Sequence, residues 1–164
     1  MSAHWRNALR LLERAARHLE NALLVLLLGS LVALASSQIF LRNALSTSTA
    51  WGDEAVRLLV LWLALVGAVA ASRDARQIRI DILARLLPSR WVWMPEAAAG
   101  AFTAAVCAAL TWQSMRFVMD SRAFGDTLLD QQPAWVLQII LPIGFAIMAY
   151  RYLVRALRAL LERG

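Results

Sequence analysis

Lysine is absent from this sequence of 164 residues, although it carries seventeen arginines and a formal net charge of +6. In a soluble protein such a basic excess raises the question of nucleic acid. Here the arginines stand in blocks between apolar runs, as they do in membrane proteins whose orientation they fix, so nucleic-acid binding is not expected. Cysteine is almost as scarce. Cys107 is alone and lies inside an apolar run, which leaves no disulfide framework and no cysteine-based metal site. Charge is missing from four long runs, Asn21–Leu41, Leu58–Ser72, Ala97–Met115 and Gln131–Tyr150, none of which contains Asp, Glu, Arg, Lys or His. Gln38, Gln113 and Gln138 are polar but do not titrate, so the runs hold no carboxylate or imidazole for a proton or ion relay. His4 and His18 fall in the N-terminal arm, apart from any Cys, Ser or carboxylate arrangement. No internal repeat is evident. The sequence predicts no enzyme and no catalytic, cofactor or metal site.

What is present is apolar. Hydrophobic residues make up 60% of the chain and its mean hydropathy is +0.57, whereas soluble domains are usually about 45–50% apolar. A helix needs about 20 residues to cross a bilayer core. The first, third and fourth runs meet that length directly. The second, about 22 Å of helix at the usual rise per residue, must begin near Asp53. The expectation is an all-α membrane protein, a single domain over residues 1–164, with four transmembrane helices at about 20–41, 53–72, 96–116 and 131–151. Asp53 and Glu54 then occupy the first turn of the second span, where the helix dipole favours negative charge. Arg57 follows them at i+4 and i+3, on the same face. A short span holds Arg57 below the membrane boundary, so a carboxylate partner or a polar group on another chain is expected for it.

Amphipathic surface helices are expected at the N-terminus and in the 73–90 loop. Trp5, Leu9, Leu12, Ala16 and Leu19 form one stripe among arginines, suited to lying in a headgroup layer before turning into the first span. Ile80, Leu83 and Leu87 form another, closed by Pro88. Ala33-Leu34-Ala35 has the form of a signal-peptide cleavage site, but the charged lead is long and the apolar run continues past it to Leu41, so a retained span is expected. The N-terminal arm holds four arginines, the 73–96 connection five and the tail from Arg151 four, which places these segments and both termini in the cytoplasm. Gly100, Ala104 and Ala108 form a ladder of small residues that admits a close helix neighbour. Pro142 removes the hydrogen bond to the Gln138 carbonyl and predicts a kink in the last span.

The stretch "WGDEAVRLLVLWLALVGA", with Trp51, Asp53, Glu54, Arg57, Trp62 and Gly67, resembles the small integral-membrane subunit of tripartite ATP-independent periplasmic (TRAP) transporters. "SRDARQIRIDILARLLP" is similar to the basic segment that follows in that family. "PAWVLQIILPIGFAIMAYR", with Pro133, Trp135, Pro142 and Gly144, is similar to its last span. Gln77 stands where members often carry His. The resemblance implies a non-catalytic scaffold subunit in the bacterial inner membrane, partnered by a large membrane subunit that carries sodium-coupled transport machinery. It also implies a soluble periplasmic substrate-binding protein that delivers an organic acid anion to the complex. Trp51, Asp53, Glu54, Arg57, Trp62, Gly67, Gly100, Ala104, Ala108, Pro142 and Gly144 are the candidate structural or docking residues. The alternative is a self-sufficient small carrier or channel acting as a homo-oligomer.

Overall fold

Helix dominates because the apolar runs contain few residues that stop one. The structure, a computed structural model, describes residues 3–44, 51–74, 93–129 and 131–161. Helix α1 spans Ala3–Ala44, α2 Gly52–Asp74 and α3 Trp93–Phe124. After α3 come strands β1 (Thr127–Leu128) and β2 (Gln132–Pro133), then α4 (Ala134–Gln138) and α5 (Ile140–Leu161). Contacts divide the chain into two units, Met1–Ala70 and Ala71–Gly164. The second amphipathic helix expected from sequence lies outside the described residues.

In the first unit α1 runs unbroken for 42 residues, roughly 63 Å. The amphipathic arm therefore continues into the first span without a turn. No Gly or Pro occurs between Ala3 and Leu28, so nothing in the local chemistry ends the helix where its composition changes. Helix α2 begins on a hydrogen bond from the Ala55 amide to the Trp51 carbonyl at 3.0 Å. Its Asp53 and Glu54 stand in the first turn and Arg73 in the last, matching the dipole at both ends. The Leu24 side chain lies 3.9 Å from where a Gly67 side chain would begin. At the opposite ends Gln38 and Arg42 share a cleft with Asp53 and Val56. The two helices are thus antiparallel neighbours.

The second unit is built on the packing of α3 against α5. A side chain at Gly100 would begin 3.2 Å from the Ala156 Cβ and 3.4 Å from that residue's backbone, so the helices meet almost backbone to backbone. Ala97, Gly100, Ala104, Cys107, Ser114, Val118 and Ser121 are buried along α3, and Thr111 is half-buried. Their steps alternate between three and four residues, the spacing of a coiled-coil seam. Met148, Ala156 and Ala159 are buried on α5. Hydroxyls in the apolar helices turn back on their own backbone: Thr103 donates to the Ala99 carbonyl and Thr111 to the Cys107 carbonyl, each at 2.8 Å. Such bonds remove a donor that lipid cannot satisfy.

Gly125, at φ +69°, ends α3. The Asp126 amide donates to the Ser121 carbonyl at 3.1 Å, the bond that closes a left-handed glycine cap. The chain then forms an antiparallel ribbon, Thr127 opposite Pro133 and Leu128 opposite Gln132, with Leu129 and Gln131 at positive φ near its tip. This ribbon is the one departure from helix among the described residues, which are otherwise α-helical as expected. Its strands are two residues each, too short for period-two patterning to register in sequence. Beyond it the helix breaks at Ile139, between α4 and α5. Pro142 has no amide hydrogen to offer the Gln138 carbonyl, and the Ile143 amide reaches Ile139 only at 3.4 Å.

Three helical segments are long and apolar enough to cross a membrane among the described residues: Arg17–Ala44, Gly52–Arg73 and Ala134–Leu161. Helix α3 has the length, 32 residues, but is not among these three.

Candidate membrane-boundary and docking sites

The acidic turn of α2 stands at the end of that helix adjoining the end of α1. Trp51, Asp53 and Arg57 are exposed, while Glu54 and Trp62 are half-buried and each makes a contact within the chain. Gly67 is half-buried and opposes Leu24. Gly100, Ala104, Pro142 and Gly144 are buried. Ala108, expected as the third rung of the small-residue ladder, is exposed, and Cys107 takes its place in the seam.

Two arrangements escaped the sequence reading. Arg151 donates to the Ser72 hydroxyl and Arg155 to the Ser72 carbonyl, both at 3.3 Å. These bonds bring two α5 cations to the negative end of α2. The Arg155 guanidinium also lies 5.4 Å from the Tyr152 ring centroid. At the other end of the unit, the Arg122 guanidinium sits 5.2 Å from the ring of Trp135 and ties the end of α3 to the start of α4. The basic block from Arg151 was visible in sequence, but a contact across about eighty residues leaves no periodic signal. Among the described residues no group of three or more His, Cys, Asp or Glu could hold a metal.

Long apolar helices with outward-facing Val25, Phe40, Phe102 and Trp112, joined by seams of small residues, define an integral-membrane helical protein. The family model of tripartite ATP-independent periplasmic transporters, DctQ component, matches residues 31–162, and the chain belongs to this family. It is 24% identical over 109 residues to the isethionate TRAP transporter permease protein DctMQ of Oleidesulfovibrio alaskensis, covering 66% of this chain and 17% of the relative. It is 28% identical over 82 residues to the sialic acid TRAP transporter small permease protein SiaQ of Vibrio cholerae, covering 50% of this chain and 47% of that one. The matches thus span less than half the length of either relative.

Proposed function

We propose that the chain is the small, non-catalytic membrane subunit of a sodium-coupled TRAP transporter that takes up an organic acid anion. On this reading it serves as a static scaffold for a larger transport subunit in the bacterial inner membrane, and a soluble periplasmic binding protein supplies the substrate. The observation that carries the reading is the family match over residues 31–162. The four uncharged runs, with no Asp, Glu, Arg, Lys or His, agree with a subunit whose partner performs the ion-coupled step. The isethionate relative, of which this match covers 17%, has length to spare for a larger membrane component.

Four spans fit this role better than three. The bonds from Arg151 and Arg155 to Ser72 set the end of α2 level with the last part of α5. Gly100 against Ala156 sets the start of α3 at that same level. The buried seam then follows α3 to Ser121, so α3 accompanies α5 to the opposite boundary. Seam residues face α5 rather than lipid, which explains how a helix of modest hydropathy can cross. Both termini then lie in the cytoplasm, as the arginine distribution favours. Asp53, Glu54 and Arg57 hold the start of α2 in register, and Arg57 docks to a polar group of the large subunit. The test is reconstitution of the chain with and without the large subunit and the soluble receptor. Sodium-dependent uptake requiring all three is expected; uptake by this chain alone would refute the proposal.

A further inference from the structure

A cleft of about 500 Å³ opens between the last turns of α1 and the first turn of α2. Gln38, Arg42, Asn43 and Asp53 are its polar lining, and Ala35, Ile39, Leu41 and Val56 its apolar lining. Arg42 and Asp53 carry opposite charges into one space, yet neither takes part in an ion pair among the described residues. The side-chain amide nitrogen of Gln38 is buried without a hydrogen-bond partner. The lining therefore combines a guanidinium, a carboxylate and a glutamine whose amide nitrogen lacks a partner. Its depth is fixed by its parents: Arg42 closes one apolar helix and Asp53 opens the next. Both stand at the boundary where lipid headgroups lie.

From this geometry we propose that the cleft binds the headgroup of an ethanolamine phospholipid. The phosphate accepts hydrogen bonds from Arg42 and the Gln38 amide, as guanidinium and phosphate pair readily. The primary ammonium, two carbons beyond the phosphate, donates to Asp53. The acyl chains leave along Ile39 and Val56. A glycerol headgroup brings a phosphate but no cation, so Asp53 repels it and gains nothing in return. A choline headgroup carries a cation that cannot donate a hydrogen bond to the carboxylate. A free zwitterion has the same polar chemistry but no use for the apolar wall.

The full chain, delipidated in detergent, is titrated with phosphatidylethanolamine, phosphatidylglycerol and soluble glycerophosphoethanolamine, and bound lipid is read by native mass spectrometry. Wild type is expected to take phosphatidylethanolamine about tenfold more tightly than phosphatidylglycerol, a difference of about 1.4 kcal/mol. Asp53→Asn should abolish that preference while phosphatidylglycerol binding holds or rises. Arg42→Gln should weaken both lipids, and it provides an independent arm should Asp53→Asn fail to fold. Equal binding of the two lipids by wild type would overturn the proposal, as would a preference that survives Asp53→Asn or undiminished binding by Arg42→Gln. Soluble glycerophosphoethanolamine binding as tightly as the phospholipid would replace the lipid by a free zwitterion and equally overturn it. The measurement needs no transport partner, so its outcome is separate from that of the uptake assay.

Discussion

The seam between α3 and α5 turns on side chains that are barely there. At Gly100 an added Cβ would meet the Ala156 Cβ at 3.2 Å and its backbone at 3.4 Å, and backbone cannot swing aside as a flexible side chain would. Gly100→Leu should therefore force the helices apart, at the overpacking cost of about 1–3 kcal/mol. The expected outcome is a lower melting temperature in detergent, whereas Ala108→Leu, on the exposed side, should melt like wild type. Equal melting of all three chains would mean that the close approach does not exist. Of the ladder read from sequence, Gly100 and Ala104 are buried in this seam while Ala108 stays on the exposed side, and the reason is geometric. At 100° per residue Ala108 lies about 80° around the helix from Gly100, while Cys107 lies only about 20° away. A ladder stepping by four drifts off the contact; alternating three and four keeps to it. Arg57 poses a different question, since a guanidinium exposed one turn inside a short apolar helix needs a polar neighbour once lipid surrounds it. If the large subunit supplies one, Arg57→Ala should co-purify with less of that subunit and leave receptor affinity for substrate unchanged. Normal co-purification by Arg57→Ala would return Arg57 to snorkelling toward water.

Among the elements, those fixed by local chemistry were read most nearly as they are. The helix break follows from one missing amide hydrogen, and Pro142→Ala restores it. The Gln138 carbonyl should then regain its donor, α4 and α5 should join, and hydrogen exchange around residues 139–143 should slow. A net gain of about 0.5–1.5 kcal/mol is expected for one such bond. Unchanged exchange there would show that tertiary packing, rather than the proline, sets the break. The end of α3 was likewise within reach, because Gly125 supplies the left-handed residue that its cap requires. The ribbon beyond it was not: Leu129 and Gln131 take positive φ without being glycines, so no turn residue announced them. The course of the α1 arm was left open by the sequence for the opposite reason. A change from amphipathic to uniformly apolar composition says which surroundings suit each half, but a helix ends only where caps, Gly or Pro end it. The Ser72–Arg151–Arg155 contact depends on tertiary placement alone.

For the whole molecule, the count of crossings decides which surfaces face which compartment. Three spans would put the termini on opposite sides; four put them together. If α3 crosses, the β1–β2 ribbon and the junction of α1 with α2 share the outer side, and the end of α5 lies inside. If α3 does not cross, the ribbon lies inside and the end of α5 outside. Single cysteines in a Cys107→Ala background separate these cases when placed at Asn43, Gln132 and Leu161, all of which are exposed. Ser121, though nearer the end of a span, is 3% exposed and would resist labelling for reasons unrelated to sidedness. An impermeant maleimide applied to intact spheroplasts should label positions 43 and 132, and position 161 only after permeabilisation. Labelling at 161 together with protection at 132 would remove α3 from the membrane. That result would also overturn the placement of Arg151 and Arg155 at the cytoplasmic boundary and, with it, the cytoplasmic location of both termini.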